Sequence, residues 1–172
     1  MDFLLDRIPR HTDDIFVDAS TSWGIGRCCG RFYFLFPWTD LPHACEEFIA
    51  RKELLACVIA LFCFSDLIRG KFVKLYTDND SAYRWLVKGR SSSQVGSKYL
   101  ALWEFGKYLL ECKISPCWIA SNANRTADDL SRGSIPDWLT RRGRRRLLPT
   151  EMNELLGSSP VDIWKRIFYH TL

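Results

Sequence analysis

An α/β domain, a mixed sheet with helices packed against it, is what this chain of 172 residues predicts. Three observations lead there. Strand-like and helix-like runs follow one another in the order β-β-β-α-β-α-α-β-α, which suits neither a bundle nor a sandwich. The first three strand-like runs are separated only by glycine-punctuated turns, the pattern of an antiparallel meander. The later ones are separated by helical stretches, which is how parallel neighbours are joined. With 47% hydrophobic and 14% aromatic residues the chain can bury a real core, and its length suits one domain.

The elements follow in order. "DIFVDAS" (14–20) is a short apolar run with β-branched and aromatic residues, closed by small polar ones, and reads as a buried strand. "WGIGRCCGRFYFLFPW" (23–38) supplies two more strands, punctuated by Gly24, Gly26 and Gly30. From Pro42 to Phe64 the pattern turns helical, with Glu46 and Glu47 expected in the opening turns, where they complement the dipole. Gly70 ends that unit. "KFVKLYTDN" (71–79) is a strand, "DSAYRWLVKG" (80–89) a short helix ending at glycine, and "RSSSQ" a loop. "VGSKYLALWEFGKYLLEC" (95–112) repeats apolar residues at helical spacing, with Gly106 on the same face for close packing. "ISPCWIAS" (114–121) is a last strand, and Pro116 puts it at a sheet edge or at a strand start. "RTADDLSRG" turns into a helix that stops at Gly133, and two short amphipathic helices are expected in 150–157 and 160–172. The globular part is expected to end near residue 135, with 136–172 a basic linker and helical C-terminal extension; the family resemblance described below covers 12–135.

Composition excludes several classes. The longest apolar run, "LLACVIALFCF" (54–64), is about half of what a bilayer needs, and "MDFLLDRIPRH" lacks the pattern of a signal peptide. The expectation is a soluble intracellular protein with no membrane partner; cytoplasm, nucleus and virus-like particle are not distinguished. Seven cysteines form no paired framework, which suits a reducing compartment. Cys28 and Cys29 with His43 and Cys45 match no usual zinc-ligand spacing. The net charge of +4 is local: "RRGRRR" (141–146) holds five of the 24 basic residues, and the remainder balances to −1. Such a cluster is an electrostatic handle for nucleic acid, a localisation signal or a solvated linker.

Four carboxylates stand out by position. Asp18 ends the first strand and Asp78 holds the matching place after "VKLYT". If those strands lie side by side and parallel, both acids emerge at one end of the sheet, where open α/β sheets place ligands. Glu53 lies on a helix face with Ile49, Ala50, Ala56 and Cys57, so it points inward, while Arg51 and Lys52 point elsewhere. A buried carboxylate needs a proton, a basic partner or a metal. Asp128 or Asp129, at the start of the last helix, is the fourth. Each has an ordinary explanation as a turn, cap or early-helix acid. Jointly they point to a hard divalent cation, Mg²⁺ or Mn²⁺, because clustered carboxylates repel unless neutralised.

Four stretches carry a family resemblance: "FVDASTSWGIG", "IARKELLACVIAL", "YTDNDSAYRWLVKGRS" and "WIASNANRTADDLSRG". In order and spacing they resemble the ribonuclease H domain of reverse-transcribing elements, closest in wording to hepadnavirus-type and tyrosine-recombinase retroelements. The resemblance implies a ribonuclease H-like fold, a five-stranded mixed sheet in the order 3-2-1-4-5. It implies a metal-binding catalytic set of Asp18, Glu53, Asp78 and Asp128, with Asp129 as fallback. It implies two Mg²⁺ ions about 4 Å apart, with Mn²⁺ able to substitute, and hydrolysis of the RNA strand of an RNA/DNA hybrid. Recognition of 2′-hydroxyls falls on the surroundings of Ala19, Ser20, Asn79 and Ser81, with Lys88, Arg90, Asn122, Arg125 and Arg132 as further nucleic-acid contacts. A reverse-transcriptase domain in the parent polyprotein is the implied partner.

Two departures qualify the match. Where many members have a loop His, this chain has Asn122, or nothing because the loop is short, and asparagine cannot act as a general base. The basic protrusion after the fourth strand is reduced to Lys88 and Arg90, so grip is expected from "RRGRRR", Trp85 or the partner domain, although the spacing of Trp85 with Ala82 and Leu86 fits a core position better. The competing expectations are a non-catalytic binding module on the same fold and a DNA-cleaving relative.

Overall fold

A computed structural model of the chain describes residues 14–41, 44, 47–139 and 141–142. Strands β1 (Ile15–Ala19), β2 (Gly24–Cys29) and β3 (Phe32–Pro37) form an antiparallel meander in which Asp18 lies opposite Gly26. Helix α1 (Ile49–Cys63) and the short α2 (Ser65–Ile68) lead to β4 (Phe72–Thr77), which runs parallel to β1 with Ile15 opposite Leu75. Helices α3 (Asp80–Lys88) and α4 (Gln94–Leu109) lead to β5 (Lys113–Trp118), parallel to β4, and α5 (Arg125–Ser131) follows. The five strands stand in the expected order, 3-2-1-4-5, flanked by helices, and β5 with its Pro116 is an edge. A sixth strand, β6 (Arg141–Arg142), runs parallel beside β3 at the other edge and was not foreseen. Leu139 is buried with Cys28 and Leu130, so the chain past residue 135 contributes to the sheet. The helices expected in 150–157 and 160–172 lie outside the described residues.

The apolar run 54–64 explains the architecture. Every residue of α1 from Lys52 to Phe62 is buried. A helix apolar all round needs cover all round, and α1 packs against β1, α4 and α3. Ile15 and Val17 face it with no exposed surface. Local chemistry sets the shorter elements. Asn79 caps α3 by accepting from the Ala82 N–H at 2.9 Å, and Gly89 ends it in the left-handed region at φ 69°. On the opposite sheet face α5 lies across β1 and β2. Only a glycine permits this at position 26, since a Cβ there would collide with the Leu130 side chain and the Ser131 backbone.

One expectation needs correction. Glu47 is not in the opening turn of the long helix: Phe48 is extended, α1 begins at Ile49, and its first turn holds no acid. Glu47 instead accepts from Arg51 at 2.9 Å, and Glu46 lies outside the described residues. Cys28 and Cys29 belong to different core clusters because adjacent strand residues face opposite sides. They cannot ligate one ion; His43 and Cys45 lie outside the described residues. Among those residues no helix is long and apolar enough to cross a membrane.

Candidate metal centre

Because β1 and β4 are parallel neighbours, their C-terminal ends open at the same rim of the sheet. Asp18 sits one residue before the end of β1, Asp78 directly after β4, and Glu53 reaches over from α1. One carboxylate oxygen from each of the three lies within 4.8 Å of the others. Asp18 is 5% and Glu53 3% exposed, while Asp78 is half-buried.

Such crowding shows in the electrostatics. Burial pushes the Asp18 carboxyl up to about 6, the charges of Asp78 and Asp128 add to the rise, and a hydrogen bond from Ser131 opposes it. Burial also holds Glu53 well above the usual carboxylate range, reinforced by Asp18 and Asp78 and opposed by a hydrogen bond from the Ala19 N–H. Both buried acids are thus held in a setting that disfavours their charged forms. Glu53 Oε2 is buried and meets no hydrogen-bond partner among the described residues. An orphaned buried oxygen beside two further carboxylates fits a hard divalent cation, which would offset their mutual repulsion and satisfy the oxygen. This buried acidic group can hold a metal ion.

The surroundings hold the three acids in place. The Ser131 hydroxyl has one proton and two acceptors in reach, Asp18 Oδ2 at 2.5 Å and the Asp128 carbonyl at 2.8 Å. Ser20 Oγ donates to the Ser131 carbonyl at 2.6 Å, and Asn124 Nδ2 donates to the Val17 carbonyl at 2.9 Å. These bonds pin α5 to the end of β1. The acids open into a cleft of about 920 Å³, which Asp128 also lines. Asp128 stands outside the compact trio, its Oδ1 accepting from Arg132 Nε at 3.2 Å. Asp129 is exposed and does not line the cleft; its carbonyl closes the end of α5 by accepting from the N–H groups of Arg132 and Ser134.

Of the residues expected to meet nucleic acid, Ala19, Ser20, Asn122, Arg125 and Arg132 line this cleft. The Ser20 hydroxyl is already committed, bonding Ser131 and accepting from the N–H groups of Trp23 and Gly24. Asn79 adjoins Asp78 but spends its side chain on the α3 cap, and Ser81 is exposed on α3. Lys88 borders a separate groove of about 660 Å³, with Lys107 and Lys113, near the start of β5. It is not at the acidic rim, and Arg90 is exposed on the loop after α3. Trp85 packs, partly buried, against the core. Of the arginine run, Arg141 and Arg142 form β6, and 143–146 lie outside the described residues. The sequence did not single out Thr21, Ser22, Trp23, Ile49 and Ser121, which complete the lining, nor the anchoring roles of Ser131, Lys52 and Trp38. The polar run "STSW" directly after Asp18 was the one available signal.

No protein-family model matches the chain, and no curated protein or solved structure matches it either. Fold and site together define a class: an α/β domain with a mixed five-stranded core sheet and a buried, cation-accepting acidic group at the rim where β1 and β4 end.

Proposed function

We propose that this chain is a metal-dependent endonuclease that hydrolyses the RNA strand of RNA/DNA hybrids, the ribonuclease H part of a reverse-transcribing element. The observation that carries the reading is the convergence of Asp18, Glu53 and Asp78 within 4.8 Å, with Asp128 in the same cleft. These are the four positions that the sequence motifs single out. Mg²⁺, two ions with Mn²⁺ able to replace them, is the proposed cofactor; when bound it would supply activation of water and stabilisation of the leaving 3′-oxygen. Asp18, Glu53 and Asp78 would hold the metal from the sheet side, with Asp128 on the α5 side of the same cleft. Ser131 donates to one Asp18 oxygen and so helps to fix the carboxylate's orientation. Arg125 and Arg132 line the approach and suit strand phosphates. The parent polyprotein's reverse-transcriptase domain supplies further grip.

Labelled RNA/DNA hybrid incubated with the protein in Mg²⁺ or Mn²⁺ tests this. The expected result is cutting of the RNA strand to 5′-phosphate and 3′-hydroxyl ends, abolished in Asp78→Asn. Equal cutting of duplex DNA would replace it with a DNA-cleaving enzyme, and tight binding without cutting with a binding module. No interaction with the hybrid at all would end the reading.

A further inference from the structure

Lys52 precedes Glu53 on α1, yet it does not line the cleft. Its side chain is buried, only 5% exposed. Nζ donates to the Thr21 carbonyl at 3.1 Å and lies 4.5 Å from the centre of the Trp38 ring. Burying an ammonium against one carbonyl and an indole face gives up most of its hydration, a costly use of a core position that leucine would fill. The benefit lies in the turn it touches. Trp38 Nε1 donates to the Ser20 carbonyl at 2.9 Å, and the Trp38 N–H donates to the Trp23 carbonyl at 2.7 Å. Three carbonyls of the β1–β2 turn are thus drawn to the buried side.

A trans peptide holds its C=O and the following N–H in opposite directions. With the Ser20 and Thr21 carbonyls turned inward, the N–H groups of Thr21 and Ser22 point to the open side, where both residues line the cleft next to Asp18. Neither meets an acceptor among the described residues, whereas the N–H groups of Trp23 and Gly24 are taken by Ser20 Oγ at 3.0 and 2.9 Å. Two successive donors beside the acidic group are what an oxygen of a bound strand requires. A bare acidic rim would repel that strand.

We propose that Lys52 is a positioning residue for the cleft: by holding the Thr21 carbonyl inward, while Trp38 holds that of Ser20, it aims the N–H groups of Thr21 and Ser22 at an oxygen of the bound strand. The identity of the ligand rests on the nuclease reading above; the clamp itself does not. Lys52→Met keeps the length and apolar stem but removes the donor, and Lys52→Arg restores one.

The test has two arms. In metal-free protein, amide NMR signals of Thr21 and Ser22 are expected to shift and broaden in Lys52→Met and return toward wild type in Lys52→Arg, while Mn²⁺ binding followed by paramagnetic resonance stays as in wild type. With hybrid substrate, KM is expected to rise about three- to tenfold in Lys52→Met, the worth of a net hydrogen bond, with kcat little changed. A hybrid and an all-DNA duplex of the same sequence, bound in Ca²⁺, separate the two oxygens: loss confined to the hybrid assigns the 2′-hydroxyl, and equal loss assigns the phosphate. Unchanged amide signals and unchanged KM at a matched melting temperature would overturn the proposal. If wild type binds neither duplex, the nuclease reading falls, and the amide signals alone decide the clamp.

Discussion

Two carboxylates of the cleft are sealed in and two are not. Asp18 and Glu53 sit at the inner end of the cleft, 5% and 3% exposed, in a place that disfavours charge on either. Asp78 and Asp128 stand half-buried at the rim, and Asp128 leans on Arg132 in a pair whose side chains are 39% and 69% exposed. The inner pair is expensive and cannot be explained by turn or cap chemistry. The outer pair is cheap, and each member alone would pass for an ordinary surface acid. It is therefore the inner pair that argues for a cation, and the outer pair that extends the site toward whatever occupies the cleft.

Removing an inner acid should break the asymmetry most sharply. Glu53→Gln is expected to lower hybrid cleavage on the order of 10³-fold, as loss of a metal ligand forfeits several kcal/mol of transition-state stabilisation. The same change should raise the melting temperature in metal-free buffer, because glutamine removes a strained titratable group. Mg²⁺ should then stabilise wild type in calorimetry and leave Glu53→Gln nearly unmoved. Asp128→Asn, by contrast, should cost less activity and barely alter stability. A metal-free melting temperature that falls in Glu53→Gln would contradict this account of the inner pair.

The next effect is one of pH. Asp18 is raised from 3.8 to about 6 in the folded chain, so between those values the folded state keeps a proton that the unfolded state has lost. Stability without metal is present in full below that window and declines as pH rises through it. Glu53, also held above the usual carboxylate range by burial, acts in the same direction. Urea unfolding in chelator should show this slope, and saturating Mg²⁺ should flatten or reverse it, since the cation favours the ionised acids.

The smallest effect belongs to the rim. Arg132→Ala removes an exposed ion pair and should change stability by less than about 0.5 kcal/mol. Hybrid binding should nonetheless weaken, and its salt dependence should lose about one phosphate contact's worth of slope. An unaltered slope in a binding titration would take Arg132 out of the strand's path.

What the sequence revealed and what it concealed divide along a physical line. Asp18, Glu53 and Asp78 were legible because strand ends and helix faces follow from periods of two and 3.6 residues. The parallel pairing of β1 with β4 was legible from the helices between them. β6 was not, since two arginines in a basic run carry no alternation. Nor were the clamps. Lys52 reaches Thr21 across 31 positions, Trp38 reaches Ser20 across 18, and Ser131 reaches Asp18 across 113. No local pattern encodes such meetings. Even the Gly26 requirement came from α5 settling on it, a neighbour more than a hundred positions away. The departure of Lys88 from the acidic rim has the same origin, because the direction in which α3 ends depends on packing that its own nine residues do not specify.

The borders of the sheet carry one more consequence. On one side stand Pro116 and the exposed Lys113, which make β5 a poor template for further pairing. On the other, the backbone of Arg141 and Arg142 pairs with Phe32 and Tyr33 at the start of "FYFLFP", an uncharged aromatic strand whose bare edge would be open to pairing with another chain. A shortened version ending at residue 135 would uncover that segment. It should precipitate on concentration, where one carrying Arg141 and Arg142 stays dispersed.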